Sequence, residues 1–264
     1  MRILLWLMLL TSFLVIAGCG VSSAENENVP DIIESAPGNS GPRQPILVEL
    51  FTSEGCSSCP PADRQLIFLE KHQPVMQAEV ITLAFHVDYW NQLGWKDEFS
   101  TAEFSDRQRG YASKFESDQV YTPQMVVDGD AEFVGSNGEK ASSAIAYAAK
   151  SGKGKVEASL NGNNLKVAIS SLPKHEEATV LLAIAEDGIV TDVKRGENAG
   201  SKLPHISIVR ALREIAALNA ADASKNSEVK IETLPAWNRG NLKYIVFVQE
   251  NESRKVIAVG KASK

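Results

Sequence analysis

Ile46-Leu47-Val48-Glu49-Leu50-Phe51, followed at once by Thr52-Ser53-Glu54-Gly55-Cys56-Ser57-Ser58-Cys59-Pro60-Pro61, decides how this chain is read. The first six residues form a short apolar run of strand length, interrupted only by Glu49. The glycine and serines after it make a loop. Pro60 and Pro61 suit the first turn of a helix, where a missing N–H costs no intrahelical bond, and that helix is expected to reach about residue 72. The two cysteines therefore lie between the end of a strand and the start of a helix. Unpaired amides and the positive end of the helix dipole favour an anion there. A thiolate so placed has its pKa lowered to ~3.5–7.5. Cys56 is read as the more exposed, attacking sulfur in the first helical turn, and Cys59 as the buried, resolving one. A static disulfide and half of a zinc site are the alternatives for this spacing. Zinc lacks a second pair of suitably spaced ligands. A bridge across so short a loop adds little chain-entropy stabilisation.

Outward from this motif, residues 80–87 read as a second buried strand, and an aromatic loop spans 88–99. Ser100 is placed to cap a helix over 101–115, with Glu103 in its first turn. A short strand at 125–127 turns through Asp128-Gly129-Asp130 into a hairpin partner at 131–134. An alanine-rich helix follows over 136–150. This alternation predicts an α/β domain over residues 45–152. Ser151-Gly152-Lys153-Gly154 then marks a boundary. Strands are expected at 156–160, 165–169, 178–185, 229–233, 244–249 and 256–259, with turn dipeptides Asn161-Gly162 and Asp187-Gly188. They predict a smaller all-β, sandwich-like domain over 153–264. Residues 209–218 read as a strand running into a helix.

The 264 residues accommodate two domains, and the net charge of −6 with no extended basic tract gives a nucleic-acid partner little support. Arg2, an apolar stretch over 3–17, Gly18 and Cys19 compose a secretory signal. Its ending, Val15-Ile16-Ala17-Gly18-Cys19, resembles a lipobox with Ile16 in place of the more usual leucine. By that resemblance residues 1–19 are a lipoprotein signal peptide, and lipidated Cys19 anchors an exported protein to a bacterial membrane, facing the periplasm or extracytoplasmic space. The apolar run is shorter than the ~20 residues of a spanning helix. Residues 20–44, rich in proline, glycine and polar side chains, read as a flexible tether.

Further candidates surround the cysteines. Glu49, a carboxylate on an apolar strand, is placed either to shuttle a proton for Cys59 or to form a salt bridge at the domain edge. Tyr121-Thr122-Pro123-Gln124 resembles the Thr-Pro segment of thioredoxins, whose proline is cis and packs beside the CxxC. By that resemblance the backbone of Thr122 offers an edge to an extended substrate, with Pro123 beside the sulfurs. Trp90, with Tyr89, Trp95 and Phe99, forms either an apolar lid over the site or core. His86 ends the second strand, on the side where α/β sheets place their sites. With Cys56 and Cys59 it would make a copper set like that of the Sco-like copper chaperones, although their usual spacing is CxxxC. The glycine-containing segment 195–203 reads foremost as a solvated loop, and otherwise as a surface for a partner or the first domain.

Taken together, Glu49 to Asp63, His86-Val87-Asp88-Tyr89-Trp90, Tyr121-Thr122-Pro123-Gln124, Gly196-Glu197-Asn198 and Val209-Arg210 resemble a family of exported proteins known as domain of unknown function 1223. The resemblance spans about residues 46–260 and departs around Pro204-His205-Ile206-Ser207. It implies a thioredoxin-like fold with a C-terminal β extension, and no substrate. The expected activity is thiol–disulfide exchange on protein or small-molecule thiols, with no cofactor beyond the redox-active Cys56–Cys59 disulfide. The expected partners are thiol-containing protein substrates, a separate redox partner, and the membrane through the N-terminal lipid. The alternatives are copper delivery and a partner-binding lipoprotein with a static disulfide.

Overall fold

A computed structural model describes residues 43–263; the signal segment, Cys19 and residues up to 42 of the tether lie outside the described residues. β1 (Gln44–Thr52) has two buried faces: Leu47 and Phe51 point to one core, and Ile46, Val48 and Leu50 to another. α1 (Pro60–His72) covers the second face with Ala62, Leu66 and Leu69, which recur at helical spacing. β2 (Ala78–His86) runs parallel to β1, in a register that sets His86 beside Thr52. α2 (Ala102–Lys114) covers the first face with Phe104 and Tyr111. Its N-cap is Thr101, whose hydroxyl accepts from the Phe104 amide, so Ser100 does not have the capping role expected of it. β3 (Gln124–Val127) and β4 (Ala131–Val134) form the expected hairpin, with β3 antiparallel to β1. α3 (Gly138–Ala148) is capped by Asn137.

The remaining strands are β5 (Lys155–Asn161), β6 (Asn164–Ser170), β7 (Ala178–Glu186), β8 (Ile189–Asp192), β9 (Lys202–His205), β10 (Ile208–Leu218), β11 (Lys225–Lys230), β12 (Leu242–Glu250) and β13 (Val256–Lys261). Four of them extend the first sheet. Its eight strands lie in the order β13, β12, β7, β10, β2, β1, β3, β4, so the class is α/β around one large sheet. The joint is β10, which touches β2 in parallel at Ile208 and Ala84 and pairs antiparallel with β7 along its length. The Ala84 amide bonds the Ser207 carbonyl at 2.8 Å, and the Thr82 and Ser207 hydroxyls meet at 2.7 Å. A free edge on β2 is thereby covered.

Gly152 thus interrupts neither the sheet nor the core. One apolar cluster contains Phe51, Phe85 and Tyr111 from before it and Leu181, Ile245 and Val259 from after it. The sandwich element consists of β11, β6 and β5, a three-stranded sheet whose Leu165, Val167 and Ile169 pack on Val180, Leu182 and Val246. Residues 208–218 are strand throughout. Irregularities at Val209/Ala211 and Glu214/Ala216 break the alternation of period two, which is why the segment resembled a strand leading into a helix. β8 and β9 form a separate two-stranded ribbon that the sequence reading did not anticipate. Among the described residues no helix is long and apolar enough to cross a membrane.

Candidate functional site

Cys56 and Cys59 are joined by a disulfide, with Cα atoms 5.4 Å apart. Cys59 occupies the N-cap of α1, and its carbonyl accepts from the amides of Ala62 (2.8 Å) and Asp63 (3.1 Å). Pro60 and Pro61 fill the opening positions, where their missing N–H groups cost nothing. Cys56 lies in the preceding turn, with its carbonyl accepting from the Cys59 amide at 3.2 Å. This corrects two expectations. Cys56 precedes the helix rather than entering it, and both cysteines are fully buried, while Ser57 and Ser58 between them are exposed. The sequence reading could not see the distant segments that pack over this turn.

The Thr122–Pro123 bond is cis. The Ser58 hydroxyl donates to the Thr122 carbonyl at 3.5 Å, and the Trp90 indole N–H donates to the Thr122 hydroxyl at 2.8 Å. Pro123 and Ala62 both border Gly135, which places Pro123 beside the first turn of α1. Cys56, Cys59, Thr122, Pro123 and Trp90 therefore share one locality.

Glu49 does not join them. It points to the α2 face of the sheet, whereas α1 lies on the other, and its carboxylate bonds Arg107 at 2.6 Å and the Tyr111 hydroxyl. The side chain is a partner in a buried ion pair, so the proton-shuttle role does not fit its position. The carboxylate on the α1 side is Asp63, one turn after Cys59 and bonded to the Thr52 hydroxyl at 2.9 Å. Burial pushes the Asp63 carboxyl above its ordinary range, against the opposing pull of His205 and His86.

His86 Nδ1 meets Asp97 Oδ2 at 2.7 Å, and both cysteine sulfurs are in the disulfide. Among the described residues no three His, Cys, Asp or Glu side chains are grouped to hold a metal ion. The Asp97 carboxylate also accepts from the Glu54 amide at 2.9 Å. The Glu54 carboxylate accepts from the Trp95 indole at 2.8 Å and faces His205 Nε2 at 3.3 Å. The His86 and His205 rings meet edge to face at 5.1 Å. Behind the cysteine turn there is thus a buried cluster of two histidines and three carboxylates, with Glu54 Oε1, His86 Nε2 and His205 Nε2 lacking hydrogen-bond partners.

The segment read foremost as a solvated loop packs on the cysteine turn. The Asn198 side-chain amide donates to the carbonyls of Glu54 (2.8 Å) and Cys56 (2.9 Å), and Glu197 accepts from the Ser57 amide at 3.1 Å. Glu54, Asp63, Asp97, Glu197, Asn198 and His205 were not singled out as site residues. Two signals pointed to this loop: the alternative reading of 195–203 as a surface for the first domain, and Gly196-Glu197-Asn198 among the family-like stretches.

Two solved structures are similar in fold. Protein AGR_C_4864 from Agrobacterium tumefaciens, an X-ray crystal structure, matches with a TM-score of 0.68 at 24% identity, covering 84% of this chain and 95% of that one. HBP35 of Porphyromonas gingivalis matches with a TM-score of 0.57 at 12% identity, covering 83% of this chain and 74% of that one. No curated protein matches the sequence. The family model described as protein of unknown function (DUF1223) matches residues 47–249. With the fold and the Cys56–Cys59 bridge in place, that match means that the chain belongs to the DUF1223 family.

Proposed function

We propose that this protein is a thiol–disulfide oxidoreductase working through Cys56 and Cys59 on protein or small-molecule thiols outside the cytoplasm, held at a membrane by lipid on Cys19. The observation that supports it is the disulfide at the N-terminus of α1 with the cis Thr122–Pro123 peptide beside it. That arrangement resembles thioredoxins, and amides at a helix start stabilise a thiolate. The export and anchoring part rests on the reading of residues 1–19 alone.

In the reduced protein the Cys56 thiolate attacks one sulfur of a substrate disulfide. The substrate S–S bond breaks, the other substrate sulfur leaves with the electron pair and takes a proton, and a mixed disulfide forms. Cys59, deprotonated, then attacks Cys56 Sγ, re-forming the bridge and releasing the second substrate sulfur, which takes a proton. The substrate gains two electrons and two protons, and the cysteine pair loses them. A dithiol redox partner restores them. The same steps in reverse oxidise a substrate dithiol. The half-buried Thr122 and Trp90, joined by the indole–hydroxyl hydrogen bond, are the groups that would orient an extended substrate.

The test is to replace Cys59 with serine in cells and identify molecules captured on Cys56. In parallel, the full protein is equilibrated with glutathione buffers. Captured substrates and a potential within the range of known redox proteins, ~−120 to −270 mV, support the reading; a bridge intact well below about −300 mV with nothing captured refutes it.

A further inference from the structure

The loop between β8 and β9 reaches the cysteine turn across 140 positions of sequence, and its two contacts differ in kind. Asn198, 8% exposed, donates to two carbonyls of the turn and fixes its shape. Glu197 instead brings a negative charge to the Ser57 amide, the backbone N–H that directly follows Cys56. Hydrogen bonding to the Ser57 side chain, and then to its amide, holds the Glu197 carboxyl below its ordinary range. The loop is seated closely. Gly196 has φ +78°, and a Cβ there would stand 3.1 Å from Trp95 Cβ. A Cβ on Gly94 would stand 3.4 Å from Gly196 Cα. The two segments therefore lie close together, and Cys56 is fully buried.

We infer that Glu197 is a positioning residue for the exchange at Cys56: its carboxylate holds the Ser57 amide, in the peptide unit that follows Cys56, and so keeps a negative charge beside the turn that carries the sulfur. The inference rests on the thiol–disulfide reading above. A carboxylate beside a thiolate disfavours the thiolate. Glu197 accordingly raises the Cys56 thiol, weakens the dithiol form and favours the bridge. Asn198 of the same loop bonds the Cys56 carbonyl, so a loosened loop is expected to ease a reductant's access to the buried sulfur. In reduction by dithiothreitol, the reagent closes to its cyclic disulfide and passes two electrons and two protons to Cys56 and Cys59.

The experiment compares the full chain with E197Q and E197A. Glutamine keeps an oxygen that accepts from Ser57 but removes the charge; alanine removes both. Glu54, Asp63, His86, Asp97 and His205 lie behind the turn in all three proteins, and Lys194 remains paired with Asp192, so the comparison isolates position 197. Protein reduced with dithiothreitol is labelled with iodoacetamide across pH, and labelling of Cys56 is followed by peptide mass. E197Q is expected to label with a lower pH midpoint. In glutathione buffers its equilibrium moves about two- to tenfold toward the dithiol, ~9–30 mV for a two-electron couple. E197A moves the same way and is also reduced faster by dithiothreitol. An E197Q midpoint equal to or above that of the wild type overturns the inference. The labelling is done on reduced protein and decides the role of Glu197 even if the wild-type bridge proves static in glutathione, an outcome that would remove the oxidoreductase reading alone.

Discussion

Glu49 and Arg107 meet at 2.6 Å between β1 and α2, both side chains buried. Arg107 also donates to Gln249 of β12 at 3.0 Å and to the Tyr111 hydroxyl at 3.1 Å, and its guanidinium lies over the rings of Phe85 (5.2 Å) and Phe247 (5.5 Å). Burial opposes the Arg107 charge, but the Glu49 carboxylate outweighs it and raises the guanidinium pKa. The pair thus ties residues from before Gly152 to a strand after it. Removing one member of such a pair leaves a buried charge uncompensated, at a cost of ~3–5 kcal/mol. Glu49→Gln is expected to lower the unfolding free energy by about that amount in urea titrations. The labelling midpoint of Cys56 should stay where it is. A moved midpoint with intact stability would return Glu49 to the thiol chemistry.

Burial pushes the Asp63 pKa above its ordinary 3.8, against the opposing pull of His205 and His86. A carboxyl whose folded pKa is raised contributes most to stability at low pH, and the contribution is lost as pH rises through the folded value. Asp63→Asn keeps an oxygen for the Thr52 hydroxyl and cannot ionise. Urea midpoints measured from pH 4 to 8 should therefore show the variant gaining on the wild type as pH rises. A constant difference across that range would mean that Asp63 is ionised throughout.

His86 behaves in the opposite chemical sense. Burial disfavours its charge, but the Asp97 carboxylate, with smaller help from Asp63 and Glu54, lifts its pKa above the ordinary 6.5. Burial also works against the Asp97 charge, yet His86 and the amides of Glu54 and Phe99 bring that carboxyl below 3.8. The histidine contributes fully below about pH 6.5 and loses its contribution as pH rises through its folded value; the carboxylate contributes above about pH 4 and loses its share as pH falls. The pair is strongest between these limits. Stability should fall as pH is raised from 6 to 9, and His86→Asn should flatten that slope and cost ~2 kcal/mol at pH 6, the scale of a charge-assisted hydrogen bond. Denaturant titrations of the two proteins at matched pH values measure both effects.

A fragment ending at residue 152 should not fold alone. It would expose the β2 edge now covered by β10 and strip Leu181, Ile245, Phe247 and Val259 from the core that α2 packs on. Near-ultraviolet circular dichroism and urea unfolding of residues 43–152 should show no cooperative transition. A sharp transition would establish an independent N-terminal domain.

The local units were legible in the amino-acid order: β1, the Pro-Pro start of α1, β2, the β3–β4 hairpin and α3. Each follows from apolar periodicity, a capping residue or a turn residue acting within a few positions. The cysteine spacing likewise marked the centre of the site. Three matters were decided by tertiary structure. One is the side of the sheet that Glu49 faces, because a run apolar on both faces carries no alternation to orient it. Another is the placement of β10 between β2 and β7, because bulges hide its period and strand neighbours far apart in sequence leave no local signal. The last is the seating of Glu197 and Asn198 on the cysteine turn: a polar side chain reads alike whether it meets water or a carbonyl 142 residues away, and only the closed sheet brings that carbonyl within 2.9 Å.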